Sequence, residues 1–169
     1  MSELKRFREE KNEFFLHEHH SPLDDKQKAN FSGLKYFPEN PDLRMRVEIE
    51  HFPEGDQIQI QTNTGDVQTY NRFGRFHLEV DGEVAELTVF QNEHGFFMPF
   101  ADSLAGQETY GAGRYLEPEL LSDGRLLIDF NLAYNPYCAY NANWSCPITP
   151  AENRLKVAIR AGEKVFEQH

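Results

Sequence analysis

Chemistry in this chain would fall on a few polar residues embedded in apolar sequence. The segment Arg125 to Leu132 reads as a strand that is apolar on both faces until Asp129 and Asn131 interrupt one of them. An unpaired buried carboxylate is strongly disfavoured, so Asp129 calls for a cation. Arg114, the only base between Arg75 and Arg125, and Arg154 are the candidates. One reading is a polar pocket in which Arg114 holds an anionic group while Asp129, Asn131 and nearby tyrosines orient the ligand. Asp102, two residues after Phe100, is a second acidic candidate. The other reading is an internal ion pair that ties an irregular loop to the sheet.

That loop runs from Asp129 to Arg154. It holds both cysteines, the only tryptophan, three of the seven tyrosines, five asparagines and three prolines. No charged residue occurs from Phe130 to Ala151, although 27% of the chain is charged. Such a segment is either a buried loop that bears function or a structural plug. Cys138 and Cys146 stand in a C-x7-C spacing, which is no zinc-knuckle spacing and lacks a second pair. They are read as buried structural thiols, as a disulfide or redox pair, or as a nucleophile or ligand. His17, His19 and His20 form a cluster beside Glu13 and Asp24. Its place at a helix end favours solvated histidines over a metal site. No metal or cofactor is expected.

The composition narrows the partners. The 169 residues fit one domain, residues 1–169, and folding at this size buries roughly 70% of the unfolded surface. Fourteen phenylalanines supply a core. The net charge of −11, with no Lys or Arg between Arg75 and Arg114, argues against nucleic acid and anionic membranes as partners. The charged start MSELKRFREEKNEFF is no signal peptide, and no apolar run reaches the ~18 residues of a membrane span. Two cysteines in that setting suggest a reducing cytoplasm.

The positioning elements follow from periodicity. Leu4, Phe7, Phe14 and Phe15 share a helical face over residues 2–18, with Lys11 adding its alkyl stem. Ser21 and Pro22 read as the N-cap and first residue of a second helix. Residues 1–30 thus form a helical segment and 31–169 a β-domain. Met45, Val47 and Ile49 alternate with charged residues, as in a half-buried strand. Ile58 and Ile60, Val67 to Tyr70, and Phe76 to Val80 read as further strands. Asp81-Gly82 makes a hairpin to Val84–Phe90. FFMPF, RLLIDFNL and Leu155–Ile159 follow. The sum is a mainly β protein: an antiparallel β-barrel or sandwich of about eight strands with one or two N-terminal α-helices.

Several motifs carry a resemblance. They are Phe100-Ala-Asp102, Tyr110-Gly-Ala-Gly-Arg114, Asp129-Phe-Asn131, Asn135-Pro-Tyr-Cys138, Cys146-Pro, Pro150-Ala-Glu152-Asn153-Arg154 and Ala161-Gly-Glu163-Lys164. Over roughly Phe31 to Val165 the chain resembles the DUF1684 family of bacterial and archaeal proteins of unknown function. Longer members carry further sequence upstream, where this chain has a short charged helix. The resemblance implies no activity or cofactor. It marks Arg114, Asp129, Asn131, Asn135, Cys138, Cys146, Glu152 and Asn153 as signature positions.

Two functions compete. The first is a small-molecule-binding barrel, with or without enzyme activity, for a small polar or anionic ligand. Its pocket would be lined by Arg114, Asp129, Asn131, Asn135, Tyr140, Glu152 and Asn153, with Asp129 or Glu152 available for proton transfer. The second is a non-enzymatic interaction module in which 129–154 is a packed plug. It requires the same polar groups to satisfy one another with no cavity between them.

Overall fold

The computed structural model describes residues 2–167. Helix α1 (Glu3–His17) opens on Ser2, whose Oγ accepts from Lys5 N at 3.1 Å. It buries Phe15 fully. Helix α2 (Asp25–Ala29) starts three residues later than expected, capped by Asp24 with Gln27 answering in a capping box. Ser21 has other work: its hydroxyl donates to Phe15 O and accepts from Leu23 N, which turns the chain between the helices.

Nine strands follow among the described residues: β1 (Arg44–Val47), β2 (Glu50–His51), β3 (Gln57–Gln61), β4 (Val67–Val80), β5 (Glu83–Asn92), β6 (Gly95–Phe100), β7 (Arg114–Leu116), β8 (Glu119–Leu120) and β9 (Leu126–Asp129). They form two antiparallel sheets. One runs β2-β4-β5-β6-β7 with β3 also on β4, and the other runs β1-β9-β8. The fold is therefore mainly antiparallel β with a short N-terminal helix, and neither sheet closes into a ring. Leu78, Val89, Met98 and Leu116 of the larger sheet share a core with Val47, Leu126 and Ile128 of the smaller. Strand β5 is buried on both faces, because Phe90 packs with Ile60 and Tyr70 in a separate cluster.

Two expectations from sequence change here. Val67–Tyr70 and Phe76–Val80 belong to one strand, whose register shifts between Arg72 and Gly74. Gly74 is required there, since a Cβ would lie 2.1 Å from Ile49 Cγ2 and 3.0 Å from Glu50 O. Leu155–Ile159 forms no strand. It touches its neighbours through single contacts: a bridge from Arg154 to Ala101, and Ser103 N donating to Val157 O at 2.9 Å. Leu155 N donates to Ala101 O at 2.7 Å, and side chains take up both backbone groups of Ile159, as described below. Asp81-Gly82 makes the expected hairpin, with φ of 51° and 82°.

Gly162 sits at φ 77°, and an added Cβ would stand 2.7 Å from both Ala133 O and Phe130 O. Gly162→Ala should thus lower the melting temperature by several degrees, a cost above ~1 kcal/mol. Gly111→Ala, with 3.7 Å to its nearest neighbour, should leave the melting temperature nearly unchanged. Equal melting curves for the two variants would contradict this packing.

Candidate functional site

The polar residues singled out from sequence are mostly framework. Arg114 begins β7 and is 1% exposed. Its guanidinium donates to three carbonyls of the C-terminal segment: Ile159 O at 2.9 Å, Glu163 O at 3.0 Å and Ala161 O. The chain bends at Ala161 and the left-handed Gly162, and the planar fork of the guanidinium reaches all three carbonyls around that bend. Asp102 lies 3.9 Å away, and the rings of Phe100 and Phe37 flank the cation at 5.1 and 6.0 Å. Burial pulls the Arg114 pKa down to about 10, against the opposing pull of Asp102 and Glu163. The sequence paired Arg114 with Asp129 around a ligand. The structure pairs it with Asp102 and commits it to backbone carbonyls, so it has no free face for an anion.

Asp129 meets neither Arg114 nor Arg154. It faces its cross-strand neighbour Arg44 at 3.6 Å and caps the 3-10 turn Phe130–Leu132 through Asn131 N. Asn131 completes that turn by exchanging hydrogen bonds with the backbone of Asn40 at 2.8 and 2.9 Å. Asn153 does the same for β5. Its amide accepts from Thr88 N and donates to Thr88 O and Pro99 O, each at 2.8 Å, which satisfies the strand where β6 no longer pairs with it. Glu152 is exposed and paired with Arg72 at 2.8 Å. Asp102 is buried, accepting from Thr109 Oγ1 at 2.7 Å and Ile159 N at 2.8 Å.

Asn135 and Tyr140 converge on a residue that the sequence placed only within a motif, Glu163. That carboxylate is 1% exposed and accepts from Asn135 N at 3.2 Å, the Tyr140 hydroxyl and Lys11 Nζ. Burial, then the charge of Glu163, raises the Tyr140 phenol well above its ordinary range. Lys11 therefore does more than lend an alkyl stem: its ammonium reaches inward from α1 to an internal anion. The signal was available, since Lys11 is a lone cation on the apolar face of α1.

An aromatic cavity lies along that helix. A groove of about 720 Å³ is lined on one side by Phe7, Lys11, Phe14 and Phe15 of α1. Tyr115, Tyr134, Tyr137, Trp144, Cys146 and Pro147 line the rest, with Glu10 and Glu117 also present. Tyr137 and Trp144 meet edge to face at 5.0 Å, as do Tyr115 and Tyr134 at 5.8 Å. Lys11 Nζ stands 5.0 Å from the centre of the Tyr134 ring. The phenols of Tyr115 and Tyr134 donate to Pro147 O and Glu117, and burial pushes both pKa values upward. They are held as neutral, fixed walls. The aromatic residues of α1 read from sequence as core; the structure leaves Phe7 and Trp144 at least 40% exposed, on opposite sides of the groove. His17, His19 and His20 lie at the exposed end of α1, with His17 beside Glu13 at 3.1 Å.

Comparison with known proteins matches a family profile over residues 29–164, described as a protein of unknown function, DUF1684. The chain belongs to this family. The DUF1684 match begins after α1, so the helical wall of the groove lies outside it. The chain is also similar to the solution NMR structure of an uncharacterized protein of Haloarcula marismortui. The two share 35% identity at a TM-score of 0.71, over 98% of this chain and 94% of that one. No curated protein matches. Among the described residues, no helix is long and apolar enough to cross a membrane.

Removing Arg114 would leave three buried carbonyls without that donor and Asp102 without its cation. Arg114→Ala should cost about 3–5 kcal/mol in urea melts, and Arg114→Lys, which keeps the charge but loses the fork, should recover only part of it. A melt of Arg114→Ala superimposable on wild type would contradict this assignment.

Proposed function

We propose that this DUF1684 chain is a small-molecule-binding protein whose site is the aromatic groove between α1 and residues 137–147. The groove itself carries the reading. Its volume of about 720 Å³ matches sites for small organic ligands, and its walls are mainly aromatic rings with a few fixed polar groups. The polar residues expected to bind the ligand instead hold the wall-bearing segment in place. The segment 129–154 thus acts partly as a plug, through Asn131, Asn135, Tyr140 and Asn153, and partly as a wall, through Tyr137, Trp144 and Cys146.

Charge selects the class of ligand. Lys11 is neutralised by Glu163, while Glu10 and Glu117 stand at the groove with no further base among its lining residues. A neutral or cationic ligand with a flat apolar body fits these walls, because aromatic faces attract cations and carboxylates repel anions. The sequence suggested a polar or anionic ligand around Arg114; the groove favours the opposite sign. A cytoplasmic setting accords with the two free thiols.

Trp144 is the only tryptophan, so its emission reports on the groove alone. Titration with the neutral probe N-phenyl-1-naphthylamine should quench Trp144 with 1:1 saturation. The anionic analogue 8-anilinonaphthalene-1-sulfonate should bind at least ~10-fold more weakly, about 1.4 kcal/mol. Phe14→Ala should weaken the neutral probe to a similar degree. Quenching that is absent, or that Phe14→Ala leaves unaltered, would overturn the proposal.

A further inference from the structure

Cys138 and Cys146 are the two cysteines of the chain, and the fold sets them against each other. Cys138 lies in the 3-10 turn Tyr137–Ala139. Cys146 is fixed from the other side: its N donates to Asn63 Oδ1 at 2.7 Å, its O accepts from Asn63 N at 3.1 Å, and Pro147 bridges to Thr62. Between these anchors the chain makes a short exposed excursion through Trp144. Both thiols are free, and they are hydrogen-bonded to each other. Cys146 also accepts from the backbone N–H of Cys138 and of Tyr137. The Cys138 sulfur has a second neighbour, the Tyr110 hydroxyl at 3.7 Å. Cys146 lines the groove, whereas Cys138 is not among its lining residues.

We infer that Cys146 and Cys138 form a thiol–disulfide exchange site opening on the groove, with Cys146 as attacking thiolate, Cys138 as resolving thiol and a low-molecular-weight organic disulfide as oxidising substrate. This rests on the reading that the groove admits a small organic molecule. The electrostatics divide the labour. The hydrogen bond from Cys138, with help from the two backbone N–H groups, holds the Cys146 thiol below its ordinary range despite its burial. The same contact, with burial, pushes Cys138 upward. Two thiols packed merely as apolar filler would both be raised by desolvation.

The chemistry closes without a further reagent. The Cys146 thiolate attacks one sulfur of X–S–S–X, the S–S bond breaks, and X–S⁻ leaves and takes up a proton from solvent. The mixed disulfide Cys146–S–S–X has no charge on Cys146, so the main influence that kept Cys138 protonated is gone. Cys138 then loses its proton to solvent and attacks the Cys146 sulfur, expelling a second X–S⁻. The protein dithiol is oxidised by two electrons to a disulfide, and X–S–S–X is reduced to two X–SH. Cys146 is the more buried of the two thiols, and access to it is through the groove that it lines.

The test uses 4,4′-dithiodipyridine, with released thiopyridone read by absorbance and the chain read by intact mass. Wild type should release two thiopyridones per chain and end lighter by two hydrogens, with no retained adduct. Cys138→Ser should release one thiopyridone and keep one thiopyridyl group, whereas Cys146→Ser should react at least ~10-fold more slowly at neutral pH. The wild-type rate should level off at a lower pH than that of an ordinary thiol, which climbs toward ~8.5. Wild type that retains two thiopyridyl groups, or single variants that react at equal rates, would overturn the inference. N-phenyl-1-naphthylamine separates this from the groove reading. A probe that binds while wild type keeps both adducts removes the thiol pair alone; clean disulfide formation with no probe binding removes the groove ligand alone.

Discussion

Glu163 is an anion almost without solvent, and three regions of the chain hold it. Lys11 reaches it from α1, Tyr140 and the Asn135 backbone from the irregular segment, and Arg114 from β7 through the Glu163 carbonyl. A carboxylate at 1% exposure is strongly disfavoured unless paired and hydrogen-bonded. The arrangement therefore fixes where α1 docks and how 135–140 folds beneath it. The groove exists because of this: one wall is the helix that Lys11 pins, and the facing wall is the segment that Tyr140 and Asn135 pin.

Side chains replace backbone ladders throughout this end of the molecule. The C-terminal segment crosses the core with its carbonyls bound by the Arg114 fork and its Ile159 N–H bound by Asp102. Strand β5 is completed at Thr88 by the Asn153 amide. Buried backbone groups must find partners, and a guanidinium or amide serves where no neighbouring strand is in register. Signature positions that look like a ligand constellation in sequence are largely those substitutions. What is left free for chemistry is the uncharged remainder: aromatic rings and two thiols.

Local pattern made the helix of residues 2–18, the Asp81-Gly82 hairpin and the predominance of antiparallel strands legible, because periodicity and turn chemistry are written in adjacent residues. The Phe76–Val80 strand was legible too, but its continuity with Val67–Tyr70 was not, since the bulge depends on Ile49 and Glu50 crowding Gly74. Leu155–Ile159 has strand-like composition, yet it meets Ala101 and Ser103 only singly and gives Ile159 to a guanidinium and a carboxylate distant in sequence. The site was legible only as a region. Apolar surroundings showed that Arg114 and Asp129 must be paired, but not with which residue, because Asp102 and Arg44 reach them through tertiary contacts. Lys11 and Glu163, 152 residues apart, gave no joint sign in the sequence.

The Lys11–Glu163 pair docks α1 and so shapes the groove. Residue-resolved amide hydrogen exchange on Lys11→Met tests it most directly, because the substitution keeps the apolar stem and deletes only the charge. Exchange in α1, from Phe7 to Leu16, should accelerate at least ~10-fold while β4 and β5 keep their protection. Unaltered protection of α1, or an equal loss across α1 and the sheet, would contradict the claim.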